Sequence, residues 1–424
     1  MTAPPRAFIV VTGSELVRGD RNDLNGPFLA SQLLRRGVEP ARISIVGDRE
    51  DELTLALAEG MRADLCVVSG GLGPTHDDRT VEFVARAAGA GLRLDEELHE
   101  RIGGVSRAFA KRLGRPYVDF EAGVRKQATI PEGAISLGLA GTAPGLVLEH
   151  GTTVVVVLPG PPSELQRLWS VALESEPVQR VLGRAQPPEL RQLRFFGASE
   201  SAVAKALADA GGDGNGVEAT ICARDFEIHV DLVVAPGAGS RADDLTERLV
   251  APLERNLFSQ DERPVEELVL DLCRARGLTL ATAESCTGGM VSQRLTSVPG
   301  SSAVFLGGVV AYSDEVKSRE LDVPAEVLAR HGAVSAEAAA AMAAGARRRL
   351  GAGVSVSVTG IAGPDGGSEE KPVGLVYLHA ETPAGSRGAD FVFPGDRDSI
   401  RRRATVTVLH LLRGLLQQTR DEAE

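Results

Sequence analysis

In the amino-terminal part of the chain, short unbroken apolar runs alternate with segments whose apolar residues recur at helical spacing. Ala7 to Val11 is such a run, and a Gly- and Asx-rich loop from Thr12 to Asn25 follows it. Phe28, Leu29, Leu33 and Leu34 then share one helical face, with Gly37 as the stop. The alternation repeats through strand Arg42 to Val46, a helix carrying Leu53, Leu57 and Met61, strand Leu65 to Ser69, and a helix carrying Val81, Val84 and Ala85. A further strand is expected from Thr153 to Leu158, followed by a proline-rich turn and a helix. Continuous apolar strands separated by helices predict an α/β domain over residues 1–183, a doubly wound parallel sheet covered on both faces.

After the linker Arg184 to Pro188 the pattern becomes shorter and mixed. Phe195-Phe196-Gly197, a helix from Ser199 to Ala210, alternation from Glu218 to Val234 and a helix around Asp243 to Leu257 predict a small α+β module over residues 190–258. A third region, residues 262–420, returns to α/β. It has a helix through Val265, Leu268, Val269 and Leu272, a buried strand beginning near Leu278, and an Ala-rich helix from Ser335 to Leu350. Strands Val354 to Val358 and Val373 to His379 follow, then a last helix through Ile400, Val406, Leu409, Leu412 and Leu415.

Composition narrows the function classes. A net charge of -12 gives no electrostatic footprint for nucleic acid or an anionic membrane, so phosphorylated ligands would need local positive sites. Cys66, Cys222, Cys273 and Cys286 lie far apart without a Cys-x-x-Cys pair or a histidine at zinc-ligand spacing. Reduced thiols in a cytoplasmic protein are the expectation. The first residues carry one charge before the short run Ala7 to Val11, too little for a signal peptide, and no apolar run approaches a membrane span.

The candidate chemistry gathers where strands end in glycine-bearing loops. Leu278 to Gly289 closes with Ala283-Glu284-Ser285-Cys286-Thr287-Gly288-Gly289 ahead of helical spacing, which sets Ser285 beside helix-start N–H groups that lack intrahelical partners. Gly307 to Lys317 offers Tyr312 and Lys317, and a lysine can serve a serine only if burial or a neighbouring charge lowers its pKa. Val358 to Gly367, with Thr359 and Gly360, is a third such loop, closed by Lys371-Pro372-Val373-Gly374. In the first domain, Gly70 to Gly73 could close on a phosphate, and Glu15, Asp23, Asp48, Asp77 and Asp78 lie at or beyond strand ends. Each has a bland alternative. Ser285 could cap a helix, Lys317 could lie on the surface, Asp77 or Asp78 could cap the helix starting near Arg79, and Arg401, Arg402 and Arg403 could be solvated. Cys286 reads as a buried structural thiol, and Gly211-Gly212-Asp213-Gly214 as a connector rather than an RNA clamp.

Together, Ala283 to Gly289, Pro299-Gly300-Ser301-Ser302, Gly332-Ala333-Val334-Ser335 and Thr359 to Pro364 resemble the CinA family, whose carboxy-terminal domain is a nicotinamide mononucleotide (NMN) amidohydrolase. The resemblance implies Ser285 as the catalytic residue with Tyr312 and Lys317, and Thr359 and Arg401 or Arg402 at the substrate. Thr287, Gly288, Gly289, Gly360 and Lys371 complete the expected substrate contacts. Ser285 would attack the carboxamide carbon, Lys317 and Tyr312 would relay its proton to ammonia, and N–H groups near Gly288 and Gly289 would hold the oxyanion. This domain needs no cofactor.

Thr12-Gly13, Glu15, Gly19, Asp23, Asn25, Gly47-Asp48, Gly70 to Asp78, Gly141 to Gly145 and Pro159-Gly160 resemble the family's amino-terminal domain, which has the fold of molybdopterin-binding proteins. In several members it is a metal-dependent ADP-ribose pyrophosphatase. That implies a site from Gly13, Glu15, Asp23, Asn25, Asp48, Gly70, Gly71, Gly73, Thr75 and Asp78, and a divalent metal ion on some of Asp48, Asp77 and Asp78. The alternative is a pterin or nucleotide binding module without turnover. The middle module resembles the family's KH-like insert. The partners implied are small-molecule nucleotides and a second copy in a homodimer, with no nucleic acid and no membrane.

Overall fold

A computed structural model describes residues 3–421, which divide into two compact units. One runs through Leu190 and takes in Val233–Gly239; the other is Arg191–Leu232 with the chain from Ser240 onward. No described helix is long and apolar enough to cross a membrane.

The first unit holds β1 (Arg6–Thr12), β2 (Glu39–Val46), β3 (Leu65–Ser69), β4 (Leu92–Leu94), β5 (Thr129–Pro131), β6 (Ile135–Leu139), β7 (Pro144–His150) and β8 (Thr153–Leu158). Six of them form a sheet ordered β2-β1-β3-β8-β7-β6, while β4 and β5 pair separately. Strand β1 shows why the apolar runs are continuous. Its Ala7, Ile9 and Val11 enter a core with Leu29, Leu33 and Trp169, whereas Phe8 and Val10 enter another with Leu57 and Phe83. Side chains alternate faces, so a strand buried on both must be apolar throughout.

The expected all-parallel sheet is corrected at one edge. Strands β2, β1, β3 and β8 are parallel, but β7 runs antiparallel to both β8 and β6. Only Gly151 and Thr152 separate β7 from β8, and Gly151 takes φ 57°. Such a connection can turn a hairpin but cannot make the crossover that parallel neighbours require.

The second unit begins with the small module: β9 (Glu189–Phe196), helix Glu200–Asp209, β10 (Val217–Arg224), β11 (Glu227–Val234), helix Gly239–Val250 and β12 (Leu257–Ser259), in sheet order β10-β11-β9-β12. Asp225 and Phe226 alone join β10 to β11, both at positive φ. The Gly211 to Gly214 segment is a plain connection from helix to β10, with the Asp213 carboxylate accepting from Ala219 N.

Strands β13 (Leu280–Glu284), β14 (Phe305–Val310), β15 (Val354–Gly360), β16 (Leu375–Thr382) and β17 (Gly385–Val392) make the second large sheet, ordered β14-β13-β15-β16-β17. The first two pairings are parallel and the last two antiparallel. Alternation in β15 has a direct cause. Val354, Val356 and Val358 fill the core beneath helices Val265–Ala275 and Arg397–Asp421. Ser355 and Ser357 donate to the carbonyls of Ala343 and Ala339 on helix Ala336–Leu350. That helix is Ala-rich because it must come close: a Cβ on its Gly345 would meet Leu321 O at 1.9 Å. The small module is fastened to the last helix by buried Glu227, whose carboxylate accepts from His410 Nε2 at 2.8 Å. His410 stacks on Phe196 with centroids 3.8 Å apart.

Candidate active site

Register places three motifs in one row. Glu284 at the end of β13 is level with Val310 of β14 and Val358 of β15, so the loops bearing Ser285 and Tyr312 leave the sheet beside the end of β15 that bears Thr359. Parallel strands bind ligands at this end.

Ser285 is buried, and its hydroxyl makes no hydrogen bond within the described residues. Its amide donates to Val358 O at 2.9 Å, fixing the loop to β15. The N–H groups expected to face a ligand at the helix start are already committed. Glu284, itself 1% exposed, turns its carboxylate onto the amides of Gly289, Val291 and Ser292 at 2.8 to 3.0 Å, and Ser292 Oγ adds a fourth bond. The Gly288 amide donates to Ser285 O. Hence Gly288 and Gly289 do not supply the oxyanion donors expected of them. Their positive φ values of 59° and 101° let the chain wrap the carboxylate instead. The amides of Cys286 and Thr287 have no oxygen acceptor among the described residues, and buried Thr287 Oγ1 has no partner.

Arg401 holds this loop from the last helix. Its Nε donates to Cys286 O at 3.1 Å and its Nη2 to Thr287 O at 2.8 Å, a fork that spends the guanidinium on backbone. Arg402 faces elsewhere and pairs with Asp398 at 3.1 Å. Sequence reasoning passed over Arg397, which joins two motifs: it donates to Gly363 O at 2.6 Å and to the Tyr312 hydroxyl at 2.8 Å. Tyr312 is 62% exposed.

Lys317 is the unusual group. Its side chain is 2% exposed, with Nζ 3.4 Å from Tyr312 O and 3.8 Å from the exposed Asp314 carboxylate. Burial lowers its pKa, and Asp314 opposes that only in part. No hydrogen bond joins Lys317 Nζ to Tyr312 Oη or to Ser285 Oγ. Burial pushes the neighbouring Cys286 thiol up to about 12, which makes it inert as a nucleophile. Thr359 Oγ1 donates to Ala333 O, and Lys371 Nζ donates to His331 O and Val334 O. These two tie loops together. At Gly360 a Cβ would meet Leu375 O at 2.7 Å, so its small size serves the β15–β16 pairing.

In the first unit the expected residues also stand at strand ends, most of them hydrogen-bonded within the fold. Asp48 accepts from Ser14 N at 3.1 Å and Ser14 Oγ at 2.6 Å. Asp23 accepts from the amides of Asn25 and Gly26, capping helix Asn25–Leu34. Asn25 bridges Ser69 Oγ and Gly160 O through its amide nitrogen, leaving its buried Oδ1 without a partner. A Cβ on Gly13 would meet the Glu15 carboxylate at 3.0 Å. Two of the glycines are steric necessities, since a Cβ on Gly70 would strike Thr12 O and on Gly71 Thr80 Oγ1, both within 2.4 Å; on Gly73 it would meet only the Asp78 side chain, which can move.

Asp77 and Asp78 both approach Thr75 Oγ1, and Asp78 also accepts from Thr75 N. Hydrogen bonding from Thr75 lowers the Asp77 carboxyl. Beside them a cavity of about 250 Å³ is bordered by Gly71, Gly73, Asp78, Lys126, Gln127 and Thr129. Two cations border it: Arg79, paired with Glu50 and Glu82, and Lys126, absent from the sequence reading, which donates to Thr75 O. Among the described residues, no three His, Cys, Asp or Glu side chains gather to hold a metal ion. Asp48, Asp77 and Asp78 therefore do not form a resident metal cage; Asp48 is spent on Ser14.

The molecule is thus a modular α/β protein with one candidate site at strand ends in each unit. Residues 8–178 match the family model "Probable molybdopterin binding domain" and residues 262–416 match "CinA C-terminal domain". A CinA-like protein of Mycobacterium sp. (strain MCS) is 45% identical over 423 residues, covering 97% of this chain and 99% of its own. One from Mycolicibacterium gilvum (strain PYR-GCK) is 44% identical over 420 residues, covering 97% and 98%. Among solved structures, competence/damage inducible protein CihA from Agrobacterium tumefaciens is 41% identical, covering 37% of this chain and 99% of that one, with a TM-score of 0.35. The chain belongs to the CinA family.

Proposed function

We propose that the carboxy-terminal domain hydrolyses the carboxamide of NMN to nicotinate mononucleotide and ammonia, as part of pyridine nucleotide recycling. The observation that carries this reading is the buried Lys317, with a lowered pKa, on helix Asp314–Leu321 that follows β14, beside the strand end whose serine hydroxyl has no partner. In its neutral form Lys317 serves as the base. Ser285 Oγ attacks the carboxamide carbon and passes its proton to the lysine, and the proton then goes to the departing nitrogen, releasing ammonia. Water cleaves the acyl-serine and restores the hydroxyl. The amides of Cys286 and Thr287 are assigned to the oxyanion, with Arg401 holding their loop in place. Tyr312 and Arg397 border the substrate from the loop after β14 and from the last helix.

For the amino-terminal domain we propose a nucleotide diphosphate ligand, ADP-ribose, placed over Gly70 to Gly73 with Lys126 on its charge. The cavity and its lysine favour binding. Because the carboxylates do not form a metal cage, a divalent ion needed for hydrolysis would arrive with the diphosphate, and no hydrolytic step is assigned to these side chains. A homodimer is part of the proposal, checked by light scattering. Incubating the chain separately with NMN and with ADP-ribose, with and without divalent metal, and resolving products by chromatography tests both halves. Absence of nicotinate mononucleotide overturns the first, and absence of ADP-ribose binding by calorimetry overturns the second.

A further inference from the structure

The Asp225-Phe226 turn lies against the start of the last helix, and the crevice between them encloses about 330 Å³. Arg224, Asp225, Phe226, Ser399, Arg402 and Arg403 line it. Its charge is unbalanced. Asp225 is its one acidic residue and approaches Arg294 at 3.8 Å, and Arg402 is met by Asp398. Among the described residues Arg224 and Arg403 have no carboxylate partner.

Arg403 lies instead over the Phe226 ring at 3.5 Å, and withdrawal from water depresses its pKa. A cation held this way gains from an anion. Phe226 presents that ring from φ 73°, the left-handed conformation that both residues of this two-residue hairpin turn adopt. Successive helical residues point about 100° apart, which explains why Arg401 grips the Ser285 loop while Arg402 and Arg403 serve this separate crevice.

We propose that the crevice binds a phosphorylated small molecule, of sugar phosphate to mononucleotide size, with Arg224 and Arg403 as its anion ligands and Arg402 beside them. Two unneutralised guanidiniums suit a phosphate dianion, and the volume suits a small ligand.

The test is arginine labelling of the full chain with phenylglyoxal, read residue by residue by peptide mass spectrometry. Inorganic pyrophosphate, ribose 5-phosphate and AMP are the phosphorylated probes, ribose and adenosine the controls. Labelling at Arg224 and Arg402 is expected to fall severalfold with at least one phosphorylated probe and with neither control, while exposed Arg112 stays unchanged. In Arg224→Glu, a surface substitution that leaves the core intact, the probe concentration that half-protects Arg402 should rise about tenfold. Equal labelling of Arg224 with and without every probe overturns the proposal, as does unchanged protection of Arg402 in Arg224→Glu. Neither readout depends on turnover at Ser285.

Discussion

The two candidate sites differ in how they are built. Around Ser285, two residues of the last helix hold groups far away in sequence, Arg401 gripping Cys286 and Thr287 and Arg397 gripping Gly363 and Tyr312, while Glu284 fills the helix start just after it. Within Gly70 to Asp78 the carboxylates satisfy near neighbours, Asp77 and Asp78 both on Thr75, with Lys126 reaching in from helix Val118–Gln127. A covalent mechanism needs reacting groups held before substrate arrives, whereas a diphosphate can organise a looser cradle by its own charge. The contrast predicts steep losses from single changes in the second unit and shallow ones in the first.

The largest expected effect is Ser285→Ala. Ammonia release from NMN should drop by about 10³-fold or more in a folded sample, and near wild-type release would remove the serine from the chemistry. Lys317→Met should cost nearly as much activity while moving stability the other way. In the folded chain the Lys317 pKa is below its ordinary 10.5, so the unfolded chain binds more protons between those values and stability rises with pH up to 10.5. The methionine variant should therefore be more stable than wild type at neutral pH, with the gap closing as pH approaches 10.5. Denaturant midpoints across pH measure this. In wild type, NMN turnover should climb with pH until Lys317 is deprotonated, and an acid limb unchanged by removing Asp314 would argue against that base.

Smaller losses sharpen the comparison. Arg401→Lys keeps charge but loses the fork across two carbonyls, and turnover should fall about tenfold to a hundredfold. Lys126→Ala should weaken ADP-ribose binding about tenfold by calorimetry and leave NMN turnover unchanged. If Lys126→Ala instead cost as much as Ser285→Ala does in its own reaction, the two sites would be equally preorganised and the contrast would fail.

What was legible in the sequence follows from the range of the interaction that decides it. Strands β1, β3, β8 and β15 are set by local periodicity and were read from it. Strand β17 was not, because an edge strand exposed on nearly every residue carries no alternation. The reversal at β7 lay hidden because its strand begins inside Gly141 to Gly145, which carries a motif of the family resemblance and no strand periodicity. At the Ser285 site the motifs were visible as glycine-bearing strand ends, but Arg397 was not, since its bond to Tyr312 spans 85 residues and leaves no local signal. Glu284 was read as one letter of a motif. Its role depends on the chain folding back within eight residues onto Ser292, which spacing alone does not announce.

The placement of that glutamate reaches beyond local architecture. A helix start usually offers a positive field to whatever anion approaches, and here an internal carboxylate has already neutralised it. A negatively charged ligand approaching Ser285 consequently finds no pull from that helix start, and is drawn by the loop amides of Cys286 and Thr287 and by arginine or lysine side chains. In the reaction proposed above, recognition of the NMN phosphate would thereby be separated from activation of its amide, so either could drift in evolution without dismantling the other.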